Sequence, residues 1–182
     1  MTCVGQANAA KALIAAHAAV SVFPNVTLNT PDGPQSLRDI MVAIAGQESA
    51  YDPGATNGIY IGLWQIGNNH EGVRTFFHVP PQDFTAWLKI PRNNALAARH
   101  LMAQRGKAWN VRLSAWSTWQ SGAYRACLPF ARMVVATAHR QIAAAAKRAP
   151  RKHSPRRPIA RSTVVAGTIG AAAVGLLVAV LI

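Results

Sequence analysis

Apolar residues in the first half of the chain recur with a helical period. Over residues 7–23 the apolar run is broken by Lys11 and His17, a spacing that predicts an amphipathic helix burying Leu13, Ile14, Val20 and Phe23 and ending at Pro24. Residues 25–35 cluster Asn, Thr, Pro, Asp and Gly and read as loop. Leu37, Ile40, Met41, Ile44 and Ala45 then fall at i, i+3, i+4, i+7 and i+8 and predict a second helix over residues 37–49. Ser36, with Asp39 three residues on, resembles a capping box at its start. Asp52-Pro53-Gly54 reads as its stop.

Residues 55–83 mix Gly, Asn, Pro and aromatics with only short apolar runs, so turns and a small hairpin are expected there. Helices are predicted over residues 93–105, with Gly106 as a C-terminal cap, over 111–118, and over 124–148, where Pro129 falls in the first turns. Residues 147–162 hold seven Lys or Arg and three Pro, which favours an extended, solvated linker. Residues 163–182 carry no charge and as a helix would measure about 30 Å, the thickness of a bilayer's hydrocarbon core. The pattern therefore predicts a mainly α chain with little or no sheet and a C-terminal transmembrane helix. Its expected pieces are an N-terminal helix and loop (1–35), a compact domain (36–146), a linker (147–162) and an anchor (163–182).

Composition changes this picture mainly through charge. The chain of 182 residues is 51% hydrophobic, enough for one compact domain and an appendage, with no room for a second full domain. Net charge is +13, yet all six carboxylates (Asp32, Asp39, Glu48, Asp52, Glu71, Asp83) precede residue 84, against three bases (Lys11, Arg38, Arg74) in that stretch. The other sixteen Lys and Arg follow it. A basic second half seeks a polyanion, and anionic lipid, nucleic acid and wall polymers all fit. Cys3 and Cys127 form no CxxC and sit in no His cluster, so neither a zinc site nor a disulfide framework is signalled, and a single bridge between them stays open. His70, His78 and His100 have no metal-ligand spacing, and no cofactor or metal is implied. The N-terminal run lacks the form of a secretory signal.

Glu48 is the carboxylate with the most suggestive setting. It closes an apolar helix and is followed by Tyr51, with Trp64 further along, surroundings in which desolvation holds a carboxyl protonated near neutral pH. Protonating a glycosidic oxygen requires such an acid. Asp52, in Asp-Pro-Gly, reads instead as a turn former. Glu71 and Asp83 have no motif around them.

The residues from Ala45 to Ala55, with Glu48-Ser49 at their centre, resemble the first motif of the soluble lytic transglycosylase branch of the lysozyme-like superfamily. Gly62-Leu63-Trp64-Gln65-Ile66 resembles its second, a Gly-Leu-(Met/Trp)-Gln-Ile segment lining the cleft. The stretch from Asn94 to Gly106 resembles the helix beneath that cleft. Trp116 to Tyr124 resembles the third motif, with Trp119-Gln120 where the family most often has Tyr-Asn. The resemblance covers roughly residues 37–128 and implies a lysozyme-like α+β fold. It also implies cleavage of the bond between N-acetylmuramic acid and N-acetylglucosamine in peptidoglycan. Glu48 would be the catalytic acid and then base, with the sugar's own 6-hydroxyl attacking to leave a 1,6-anhydro end. Ser49, Tyr60, Gly62, Trp64, Gln65, Trp119, Gln120 and Tyr124 are the implied substrate-binding positions.

The resemblance is nearest to versions from phage virions and actinobacteria. By the positive-inside rule the basic linker stays on the side of synthesis, which would separate the domain from the wall. An enzyme carried in a phage particle, bound to its membrane and delivered from outside, resolves that conflict and would open the wall locally for genome entry. The alternatives are a bacterial wall-remodelling enzyme at the inner membrane, a phage endolysin, and a non-catalytic membrane-bound protein that binds glycan or DNA.

Overall fold

The computed structural model describes Cys3 and residues 8–148. The segment at 163–182 and most of the linker at 147–162 lie outside the described residues. Among the described residues no helix is long and apolar enough to cross a membrane.

Helix α1 (Ala9–Val22) packs against α2 (Leu37–Ser49), α5 (Pro91–Gln104) and α8 (Leu128–Arg148). Its buried side is built from Ala12, Ala15, Ala16, Ala18, Ala19 and Val22. This corrects the expected face: Phe23 is buried, Leu13 and Val20 only partly so, and Ile14 is 44% exposed. Small alanines let the helix axes approach closely, so the side lacking bulky residues is the one that faces inward.

The stretch expected as loop forms a hairpin, β1 (Thr27–Thr30) with β2 (Gly33–Ser36), paired antiparallel from Thr27↔Ser36 to Thr30↔Gly33. Its turn is Pro31-Asp32, held by Thr30, whose hydroxyl oxygen accepts from the Asp32 N–H and whose O–H donates to the Gly33 carbonyl. Leu28 is the one hydrophobic side chain that these strands bury, too short a pattern for alternation to register. The hairpin also explains the missing capping box. Ser36 makes no side-chain cap bond, because it is already a strand partner of Thr27, and the Leu37 N–H donates to the Val26 carbonyl at 2.9 Å.

Helix α2 runs over Leu37–Ser49 with Leu37, Ile40, Met41, Ile44 and Ala45 all fully buried. It stops earlier than Asp52-Pro53-Gly54. Ala50 and Tyr51 take left-handed backbone angles (φ 51° and 63°), and the Tyr51 N–H returns to the Ala45 carbonyl. That reversal lays the Tyr51 ring under Gly46, where a Cβ would stand 2.6 Å from the ring and 2.9 Å from Cys127 Sγ. Gly46→Ala is accordingly expected to cost about 1–3 kcal/mol through overpacking, read as a lower urea midpoint at unchanged slope. An unchanged midpoint would show that the ring can shift aside.

Residues 55–83 contain a second small hairpin, β3 (Tyr60–Ile61) with β4 (Ile66–Gly67), then α3 (Glu71–Phe76) and a 3-10 turn at Pro81–Asp83. A short α4 (Phe84–Leu88) follows. Helix α5 begins at Pro91, where the missing N–H costs nothing, and Gly106 (φ +125°) lies just past it. The helix expected over 111–118 is two: α6 (Trp109–Leu113) and α7 (Ser117–Gln120). Between them Trp116 is extended, and its indole N–H is drawn to the Trp64 carbonyl at 2.9 Å. The last helix also starts later than its periodicity suggests. Ala123–Cys127 is a 3-10 turn, and α8 takes Pro129 in its first turn and runs to Arg148, into the start of the expected linker.

Cys3 and Cys127 are joined by a disulfide. It ties Cys3 to the junction of the 3-10 turn and α8, where Cys127 Sγ lies against Gly46 in the last turns of α2.

Candidate active site

Glu48 sits in the last turn of α2, where the buried face gives way to a cleft. The cleft has a volume of about 420 Å³ and is lined by Glu48, Asn57, Tyr60, Gln65, Ala115, Trp116 and Ser117. Three separate stretches therefore meet: the end of α2, the β3–β4 hairpin with the loop before it, and the α6–α7 junction.

The hairpin loop is held from behind. Asn94, fully buried on α5, accepts from the Trp64 N–H at 2.8 Å and donates to the Ile61 carbonyl at 2.9 Å. Gly62 (φ +80°) closes against this amide; a Cβ there would lie 2.5 Å from Asn94 Nδ2 and 2.7 Å from the Leu88 carbonyl. The Ser49 hydroxyl, 3.0 Å from the carbonyls of both Ala45 and Leu63, ties the same loop to α2. Gln65 then turns into the cleft with φ +46°, its amide donating to the Gly62 carbonyl at 2.9 Å.

Among the described residues, Glu48 is the only carboxylate lining the cleft. Its Oε1 accepts from the Thr118 hydroxyl at 2.8 Å. Burial raises its pKa above the ordinary carboxylate value, and the hydrogen bonds from Thr118 pull in the opposite direction without cancelling the rise. Asp52 is held the other way. Its Oδ1 accepts from the Gly54 N–H, its Oδ2 pairs with Lys11 at 3.1 Å, and these contacts lower its pKa. It is a turn former and an ion-pair partner. The other acids are engaged or remote: Asp32 pairs with Arg125, Glu71 with Arg74, Asp39 faces Arg132 and His139, and Asp83 lies in the exposed 3-10 turn. The arrangement supplies one carboxyl able to give up a proton and take one back, with amides and an aromatic wall around it.

Raising the pKa of Glu48 has a cost in stability that can be measured. Below pH 4.5 the carboxyl is neutral in the folded and unfolded chain alike. As pH rises through 4.5 the unfolded chain ionises first, so stability is lost until the folded pKa is passed. Glu48→Gln removes this loss. At pH 7 the variant is expected to unfold at higher urea than the wild type, with the difference shrinking at pH 4. A wild-type midpoint for the variant at both pH values would contradict a strained carboxyl.

The candidate residues divide into three groups. Glu48, Tyr60 and Gln65 line the cleft, Tyr60 with 47% of its surface exposed. Ser49, Gly62 and Trp64 lie behind it. Trp64 is fully buried, its ring edge-on to Phe23 at 5.4 Å and its N–H on the Met41 carbonyl at 2.8 Å, so it is core and no cleft wall. Trp119, Gln120 and Tyr124 border a neighbouring groove of about 270 Å³ with Pro31, Asn110, Ser114 and Arg125. There Trp119 stacks on Tyr124 at 4.9 Å, and the Gln120 amide is spent on the Ser114 carbonyl at 2.7 Å.

Asn57 was missed by sequence reasoning, while Trp116, Ser117 and Thr118, inside the stretch resembling the third motif, and Asn94, inside the stretch resembling the helix beneath the cleft, were not named as site positions. Trp116-Ser117 repeats, three residues earlier, the aromatic-then-polar order of Trp119-Gln120. The interruption of the helix between α6 and α7 decides which pair meets Glu48. Asn93 and Asn94 stand side by side in the sequence, and only packing decides that Asn94 is the buried one.

A family model described as transglycosylase SLT domain matches residues 31–128, more than half of the chain. No curated protein and no solved structure matches it. The match includes β2, α2, the β3–β4 hairpin, α5 and the α6–α7 junction, and with them every residue that lines the cleft.

Proposed function

The chain belongs to the transglycosylase SLT domain family of lysozyme-like enzymes that cleave peptidoglycan glycan strands, and on that footing we propose that Glu48 performs both proton transfers of the reaction. With a strand in the cleft, Glu48 gives its proton to the glycosidic oxygen between N-acetylmuramic acid and N-acetylglucosamine. The C1–O bond breaks with its electron pair on the departing oxygen. The resulting Glu48 carboxylate takes the proton from the muramic acid C6 hydroxyl, whose oxygen bonds to C1 and closes the 1,6-anhydro ring. Atoms balance without water, and Glu48 ends protonated as it began. Tyr60, Gln65, Trp116 and Ser117 border the cleft in which the sugars would lie.

One observation carries this reading: no second carboxylate lines the cleft. Water attack by the usual two-carboxyl route needs a base or nucleophile beside the acid, whereas intramolecular attack needs only one group acting twice. Mass spectrometry of the fragments released from purified peptidoglycan is expected to find anhydro ends, each lighter by one water than a hydrolysed end. Reducing ends in their place would make the enzyme a hydrolase.

The setting of the reaction is part of the same proposal. The uncharged stretch at 163–182, following a basic linker, supports attachment to a bilayer with anionic headgroups. The positive-inside argument supports delivery from outside the wall, as a phage virion-associated enzyme that opens it locally for genome entry. The Cys3–Cys127 bridge supports an oxidising working environment. That observation also fits a second reading, an exported bacterial enzyme anchored at the inner membrane. Mass spectrometry of purified particles is expected to detect the chain; its consistent absence from them would favour the bacterial enzyme.

A further inference from the structure

Two features of α7 bear on the acid. Thr118 lies seventy positions from Glu48 in sequence, yet its hydroxyl reaches Oε1 across the cleft floor at 2.8 Å. A threonine on a helix commonly gives its proton to the carbonyl four residues back. Here the residue four back is Ser114, which caps α6 and is separated from α7 by the extended Trp116, so no carbonyl of α7 stands in that position. The Thr118 hydroxyl is thereby left to turn toward the carboxyl.

We propose that Thr118 is a positioning residue for Glu48, holding Oε1 as a hydrogen-bond acceptor and so assigning the transferable proton to Oε2. The inference rests on Glu48 being the acid. An oxygen that accepts from a hydroxyl carries no proton of its own along that direction. The protonated acid therefore presents its O–H from the other oxygen. When the proton has left, the same hydroxyl continues to donate to Oε1, so the carboxylate keeps its orientation until it recovers a proton.

Among the described residues, Tyr60 on β3 is the one other titratable side chain lining the cleft. Arg132 and His139 of α8 face Asp39 at the opposite end of α2, and Lys11 of α1 is paired with Asp52. Thr118 is the hydrogen-bond partner of the Glu48 carboxyl.

Thr118→Val keeps the shape and deletes the hydroxyl; Thr118→Ser keeps the hydroxyl. In the full-length protein acting on purified peptidoglycan, Thr118→Val is expected to lower kcat about tenfold or more, the loss of one hydrogen bond to a charged group. KM should stay within about twofold, and the alkaline limb of the pH profile should move to higher pH. Thr118→Ser should restore both. The chain has two glutamates, Glu48 and Glu71, so carboxyl-labelled glutamate gives two carbon resonances, and Glu48→Gln identifies one of them. The Glu48 resonance is expected to titrate at higher pH in Thr118→Val than in the wild type or in Thr118→Ser. An unmoved titration, or a serine variant as impaired as the valine one, overturns the proposal. Full activity in Glu48→Gln instead overturns the assignment of the acid, and the titration still reports on the Thr118 bond.

Discussion

Glu48→Gln is expected to slow cleavage of purified peptidoglycan by about a hundredfold to ten-thousandfold, the range supplied by a positioned general acid and base. Glutamine preserves the size of the side chain and can still accept from Thr118 at its amide oxygen, so the cleft should keep its shape. It cannot release a proton to a leaving oxygen. Because the proposed mechanism uses Glu48 twice, the variant loses both the protonation of the glycosidic oxygen and the deprotonation of the 6-hydroxyl. No neighbouring carboxylate can substitute, since none lines the cleft. Zymography and the rate of turbidity loss both read the effect. Clearing by the variant at the wild-type rate would falsify the role of Glu48. The variant should fold at least as well as the wild type at neutral pH, so lost activity cannot be assigned to lost structure.

Asn94→Leu is expected to cost about 2–6 kcal/mol, the summed penalty for leaving two buried backbone groups without partners. Leucine keeps the branching and heavy-atom count of asparagine but is bulkier, so overpacking adds to the loss of the hydrogen bonds. The Trp64 N–H and the Ile61 carbonyl each lose the partner they have in Asn94. Among the described residues every buried side-chain nitrogen and oxygen has a partner, and the exchange would take the Asn94 partner from two backbone groups. A loss of that size is a large share of the stability of an ordinary domain. Urea unfolding measures it, and amide exchange at Trp64 localises it. Activity should fall as well, because the loop held by Asn94 carries Gln65 into the cleft. A midpoint within about 1 kcal/mol of wild type would mean that the loop finds other partners, against the usual cost of orphaned buried groups.

The parts legible in the sequence were those set by local period. Helix α2 could be placed because five apolar residues repeat at helical spacing and bury together; the helices expected over 93–105 and 124–148 were found with their starts moved to Pro91 and Leu128. The β1–β2 hairpin was not legible, since it buries one hydrophobic side chain and its strands are short. The alanine face of α1 was also hidden. Hydrophobicity ranks Ile14 above alanine, while the close approach of neighbouring helices favours alanine.

Within the site, the sequence by itself determined which carboxylate ends an apolar helix, and that Asp52 in Asp-Pro-Gly would make a turn. It also placed Gln65 in a loop of its own motif. Tertiary structure alone decided that Trp64 is core and Trp116 is wall, that Ser117 and Thr118 reach the cleft while Trp119 and Gln120 turn to the next groove, and that Cys3 meets Cys127. The reason is physical. Local spacing governs which side of an element is apolar, but what packs over that side depends on partners tens of residues away. A break of three residues between α6 and α7 is enough to exchange one aromatic and polar pair for another beside Glu48.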